Sequence, residues 1–164
     1  MYQLFQDWGA NRHNIKGRLV LLLFRLATIG RINKLLFVLW IPYLVFYRIT
    51  IEWFMGIELP YKLKIGSGFC VFHGQSLVIN DGVIIGKNCT VRHCVTIGNK
   101  QLQDGSYSKS PVIGNQVDIG SNTCIIGEIN IGNNVKIGAG SVVVRSIPDN
   151  AVVVGNPARI IKYL

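Results

Sequence analysis

The stretch "PVIGNQVDIGSNTCIIGEINIGNNVKIGAGSVVV", Pro111 to Val144, repeats itself every six residues. Stepping by six from Ile113 meets Ile119, Ile125, Ile131, Ile137 and Val143, all aliphatic and β-branched. Four residues after each of these stand Val117, Thr123, Ile129, Val135, Ser141 and Ile147, again small or β-branched. Glycine follows many of the aliphatic positions directly, as in Gly114, Gly120, Gly132 and Gly138. A helix repeats its buried face about every 3.6 residues and a strand about every two, so a period of six fits neither alone. It suits a unit of short strand, corner and short strand. Three such units close a triangular coil, and each coil stacks its inward side chains on those of the next.

Upstream, the same step links Ile79, Ile85, Val91 and Ile97. The repeat therefore runs from about Leu63 to Ile147, which predicts about five coils of parallel strands around an aliphatic column. Two places break it. From Val71 to Ile79 the step is eight, and His73 falls inside the slip. From Asn99 to Ser110 the chain reads "NKQLQDGSYSKS", polar and aperiodic. A solenoid accommodates such a segment as a loop thrown outward at a corner.

The rhythm resembles that of the hexapeptide-repeat acyltransferases. The resemblance implies an all-β solenoid, a left-handed parallel β-helix, where the general rule for parallel crossovers would give the right-handed form. The expected organisation is a short helical region over residues 1–56 and the solenoid with its C-terminal tail over 57–164, with the loop insertion at 99–110. Three segments narrow the match: "IELPYKLKIGSGFCVFHGQSLVIND", "VRHCVTIGN" and "VKIGAGSVVVRSIPDNAVVVGNPARII". They look like parts of the serine acetyltransferases and of the serine acetyltransferase-like O-acetyltransferases of capsule and exopolysaccharide synthesis.

That resemblance implies transfer of an acetyl group from acetyl-CoA to a hydroxyl, with His73 as general base and Glu58 as the carboxylate holding the imidazole in its working tautomer. The chemistry asks for such a base, because an unassisted alcohol is protonated at neutral pH and histidine titrates at about 6.5. Glu58 precedes His73 by fifteen positions (73 minus 58). With about eighteen residues to a coil, this places the two within one turn.

His93, where serine acetyltransferases have glutamine, is expected to contact substrate, and Ser110 stands where they have a second histidine. Acetyl-CoA is expected between neighbouring subunits of a homotrimer, against the backbone at Gly98, Ser121 and Ala139. Arg159 and Lys162 are the candidates for its 3'-phosphate, or are simply solvated charges on a tail. Glu58 in place of aspartate, Ser110 in place of histidine and the short apolar N-terminus all weaken L-serine as acceptor. They favour a sugar hydroxyl of a capsule, exopolysaccharide or lipopolysaccharide precursor. Serine O-acetylation for cysteine biosynthesis is the alternative.

The N-terminal region carries two apolar runs, "LVLLLF" (Leu19 to Phe24) and "LLFVLWIPYLVFY" (Leu35 to Tyr47). The second, at 13 residues, is shorter than the roughly 20 of a spanning helix and holds Pro42, which is expected to bend it. Before Gly56 the chain has 7 basic and 2 acidic residues, and after it 10 and 6, within a net charge of +9. With the rings of Trp40, Tyr43, Tyr47 and Trp53, this suggests a helical hairpin on the inner face of a cytoplasmic membrane, with a glycan or glycolipid acceptor. Packing of the helices on each other or in an oligomer is the other reading.

Hydrophobic residues make up 49% of the chain, so some apolar surface must face something other than water. No zinc-finger or RNA-binding signature accompanies the positive charge, which argues against nucleic acid. The cysteines Cys70, Cys89, Cys94 and Cys124 lack C-x-x-C spacing and read as reduced core thiols. A γ-type carbonic anhydrase would need three zinc-holding histidines in the repeat, and His13 lies outside it, so no metal is expected. The exposed repeat positions are too irregular for an ice-binding array.

Overall fold

The structure, a computed structural model, describes residues 4–164. The chain climbs a three-sided prism. Face A carries Ile57–Glu58, Leu77–Ile79, Thr96–Gly98, Cys124–Ile126 and Val142–Val143. Face B carries Lys64–Ile65, Ile84–Ile85, Val112–Ile113 and Asn130–Ile131. Face C carries Cys70–Val71, Thr90–Val91, Asp118–Ile119, Lys136–Ile137 and Ala151–Val154. Strands within each face pair in parallel, with Val78 opposite Thr96 and Ile85 opposite Ile113. Arg159–Tyr163 then returns antiparallel to Ala151–Val154 at the edge of face C.

All ten six-spaced aliphatics are buried, and so are the six small or β-branched residues that follow them. The two hydroxyls among these satisfy themselves locally. Thr123 Oγ1 donates to Gly120 O at 2.7 Å and Ser141 Oγ to Gly138 O at 2.6 Å, so neither leaves an unpaired polar atom in the column.

Corners repeat as strictly as the core. At the corner from B to C, Gly68, Asn88, Gln116, Asn134 and Asn150 take positive φ. At the corner from C to A, Gly56, Ser76, Cys94, Asn122 and Gly140 do the same. The left-handed conformation turns the chain and favours glycine and asparagine. Cys94 is therefore exposed and is not a core thiol as composition suggested. Cys70 and Cys89 are buried, and Cys124 is half-buried.

The N-terminal region packs onto the solenoid. Helix α1, Ile15–Thr28, starts at an Asn14 N-cap and is followed by helix α2, Lys34–Arg48, capped by Asn33. A π-turn over Ile49–Phe54 leads into face A. The preceding turns and α1 close the open end of the prism, where the first coil's backbone has no coil below it. Asp7 accepts from Phe69 N at 2.9 Å, Asn11 donates to Phe69 O at 2.8 Å and Asn14 to Val71 O at 2.6 Å. Arg25 donates to Ile65 O at 2.9 Å and Gly66 O at 2.7 Å while pairing with buried Asp7 at 2.8 Å. Side chains thus replace the missing strand edge.

The second apolar run differs from its expected form in two ways. The helix passes through Pro42 and, with the π-turn, extends over 21 residues, few of them buried, long and apolar enough to cross a membrane. Three of its four aromatic anchors turn inward. Trp40 Nε1 donates to Leu26 O at 2.9 Å, Tyr43 OH to Leu23 O at 3.0 Å and Tyr47 OH to Leu59 O at 2.6 Å. Spaced at roughly helical intervals, they pin one face of α2 to α1 and the first coil. Trp53 alone of the four is fully outward, at 75% exposure, beside Phe54 at 90%.

Candidate active site

The slip in the repeat is a two-residue bulge at the corner from C to A. Elsewhere six residues carry the chain from the inward aliphatic of face C to that of face A, as from Val91 to Ile97. Here His73 and Gly74 are added, and both take positive φ, 65° and 74°. Gly74 tucks inward, where a Cβ would meet Ile57 Cδ1 at 2.9 Å, and His73 is pushed into solvent. Histidine is among the residues that tolerate this conformation.

One coil on, His93 stands at the same corner, and the two imidazole rings meet edge to face with centroids 5.7 Å apart. The column continues as the chain climbs. Cys94 N donates to Gln75 O, Asn122 N to His93 O and Gly140 N to Ser121 O, at 2.9 to 3.1 Å. His73, His93, Ser121 and Ala139 therefore share one edge of the prism. Ala158 N donates to Val142 O at 2.8 Å, which starts the tail, and so Arg159, at the top of that edge. Lys162 lies farther along the returning strand, opposite Val152.

The other candidates lie elsewhere on the same chain. Gly98 ends a strand of face A, at the corner from A to B. Ser110 joins that corner, donating from Oγ to Asn80 Oδ1 at 2.8 Å. Glu58 lies two residues beyond Gly56, whose carbonyl accepts from Ser76 N at 2.8 Å beside the bulge, and among the described residues no hydrogen bond or ion pair joins its carboxylate to His73. It sits in a strand opposite Val78, and its side chain lines a groove between face A and α2. Fifteen residues bring the chain from the start of one face A strand round to the corner that leads into the next, where Gly74 packs on Ile57.

Two contributors carried no signal in the sequence. In the amide orientation that satisfies both ends, Gln75 Nε2 donates to His73 O and its Oε1 accepts from Lys16 Nζ, each at 2.9 Å. Helix α1 thereby braces the bulge that presents His73. Cys70 is adjacent in sequence, but burial pushes its thiol up to about 11, and its Sγ donates to Asn11 Oδ1 at 3.3 Å. It is no thiolate at neutral pH.

The parallel β-prism is a fold that known proteins share. Over 161 residues the chain is 42% identical to the Escherichia coli (strain K12) protein named as colanic acid biosynthesis acetyltransferase WcaB, covering 96% of this chain and 98% of that one. The chain belongs to the hexapeptide-repeat acetyltransferases.

Serine acetyltransferase of Synechococcus elongatus is 39% identical over 106 residues, 65% of this chain and 43% of that protein. Among solved structures, the serine acetyltransferase of Vibrio cholerae matches with a TM-score of 0.79 at 25% identity, over 98% of this chain and 65% of that one. The Brucella abortus serine acetyltransferase in complex with coenzyme A matches with a TM-score of 0.76 at 27% identity, over 98% and 66%. No protein-family model matches the chain. As a hexapeptide-repeat acetyltransferase it has the left-handed parallel β-helix of that fold and uses acetyl-CoA as co-substrate. The corner edge suits such a ligand, because Ser121 and Ala139 leave backbone approachable where a long side chain would cover it.

Proposed function

We propose that this acetyltransferase moves an acetyl group from acetyl-CoA to a sugar hydroxyl of an exopolysaccharide, capsule or lipopolysaccharide precursor, with His73 as general base. The near full-length match to WcaB carries the reading. It includes sequence outside the 65% of the chain that the Synechococcus serine acetyltransferase matches. Ser110, engaged with Asn80 where serine acetyltransferases have a histidine, speaks against L-serine.

Acetyl-CoA supplies the acetyl group as a thioester. His73 takes the proton of the acceptor hydroxyl as its oxygen bonds to the acetyl carbon. It returns that proton to the coenzyme A sulfur as the carbon–sulfur bond breaks. Atoms balance without a covalent acyl-enzyme, in keeping with the protonated Cys70. His93, in contact with His73, borders the reacting hydroxyl. Glu58, at the start of the neighbouring face A strand, is the carboxylate that holds the His73 imidazole in its working tautomer.

The working unit is a homotrimer, in which the edge bearing His73, His93, Ser121 and Ala139 faces a neighbour's corner bearing Gly98 and Ser110. The split of these residues between two corners of one chain supports that arrangement. Arg159, at the top of the edge, and Lys162 receive the 3'-phosphate. The exposed apolar surface of α2 supports a peripheral seat on the cytoplasmic membrane, facing the cytoplasm, since its aromatic pins hold it against the solenoid.

The test is transfer of labelled acetyl groups from acetyl-CoA to surface-polysaccharide precursors of the source cells. Label in the glycan, with no coenzyme A release stimulated by L-serine, is the expected result. Release stimulated by L-serine alone would overturn the proposal.

A further inference from the structure

Between α2 and face A runs a groove of about 730 Å³, within the size range of sites for small organic ligands. Its two walls differ in kind. Phe37, Ile41, Leu44 and Val45 of α2 form an apolar wall. Opposite, face A presents Glu58 and Thr96, and the turn after Leu77–Ile79 presents Asn80 and Asp81. Lys62 stands at the same groove. Among the described residues, Asp81 and Lys62 are engaged by no side-chain hydrogen bond or ion pair, so both are open to a ligand.

A soluble nucleotide-linked sugar would use the polar wall and leave the apolar one wet. A hydrocarbon chain alone would leave the Asp81 carboxylate unpaired beside it, at an energetic cost. A carboxylate accepts hydrogen bonds from sugar hydroxyls, a lysine meets a phosphate, and an aliphatic wall takes methylenes out of water. Ile41 and Val45 also belong to the exposed apolar surface of α2, so a chain on that wall continues onto the face we assign to the membrane.

We propose that the groove seats a lipid-linked acceptor, a glycan joined through phosphate to a hydrocarbon chain. Its hydroxyls meet Asp81, its phosphate Lys62, and its first carbons Ile41 and Val45. This deepens, and rests on, the reading of the protein as a sugar O-acetyltransferase. His73 and Glu58 lie toward the other end of the face A strands from Asp81, and the three residues of Leu77–Ile79 span about 10 Å. An oligosaccharide lying across face A covers that distance, which places the acetylated sugar beyond the one attached to phosphate.

The experiment uses full-length protein, labelled acetyl-CoA and two acceptors: lipid-linked oligosaccharides extracted from membranes of the source cells, and the same oligosaccharides released from lipid by mild acid. The expected kcat/KM is at least about ten-fold higher for the lipid-linked fraction. I41Q, at a surface position, brings that ratio toward one by raising the KM for the lipid-linked fraction. D81N raises KM for both fractions. Equal kcat/KM on the two fractions for the natural protein, or unchanged KM values in both variants, overturns the groove assignment and leaves sugar acetylation standing. Label in neither fraction overturns sugar acetylation and the groove together. Loss of an oligomer in I41Q, seen by light scattering, shows the groove covered by a second copy and also overturns the assignment.

Discussion

His73 owes its place to a two-residue bulge. Gly74 has to point inward against Ile57 for His73 to point out. H73A is expected to lower kcat by about 10²- to 10⁴-fold with the fold intact, measured by coenzyme A release beside circular dichroism. As the carboxylate that orients His73, Glu58 acts through the imidazole, so E58Q is expected to lower kcat and shift the pH profile with little change in KM, measured by coenzyme A release. A raised KM with an unchanged profile would make Glu58 an acceptor contact instead. Cys70 is expected to contribute nothing to transfer, so C70A keeps its kcat. Its thiol, raised by burial to about 11 from 9.0, favours the folded state fully below the lower value and loses that contribution as pH rises through the upper one. The slip in the repeat marked His73, and the family resemblance marked Ser121 and Ala139. Spacing alone could not give the contacts of Glu58, because fifteen residues fix the coil and not the direction of a side chain.

At the scale of elements, the N-terminal helices are a lid on the first coil and a brace for the bulge. Asp7 and Arg25 form a buried pair that also satisfies backbone at Phe69, Ile65 and Gly66. D7A leaves a buried guanidinium uncompensated and is expected to cost about 3 to 5 kcal/mol, read as a lowered Tm or denaturant midpoint. The double variant D7A/R25A is expected to cost less than the sum of the single changes. Gln75 belongs to the same coupling, through His73 O and Lys16. A change of composition and period near residue 56 was readable in the sequence. That the two regions share one hydrogen-bonded seam was not, because the partners are separated by up to 62 residues with no local pattern to link them.

Across the whole molecule, the aliphatic column makes stability nearly one-dimensional, each coil resting on its neighbours. I119A, at the centre of the column, is expected to cost about 2 to 5 kcal/mol, measured by urea unfolding. The apolar face of α2 is the molecule's other large-scale feature. In vesicle flotation with anionic lipid, the natural protein is expected to rise with the vesicles, and W53S/F54S to remain below. Unchanged flotation would move the contact elsewhere. The second apolar run looked too short for a membrane because its uncharged stretch ends at Arg48, yet the helical surface continues through the π-turn to Phe54. Length counted in uncharged residues understated it.

The sequence by itself determined the prism. A six-residue period needs only neighbours close in the chain, and every coil restates the same demand for a buried aliphatic, a turn in left-handed conformation and a second small residue. Tertiary structure alone decided which side chains share a corner, that Glu58 faces a groove, that three aromatic donors turn inward and that Asp7 and Arg25 close the end of the column. Those contacts depend on how an aperiodic segment folds back onto a periodic one, and the repeat holds no record of that packing.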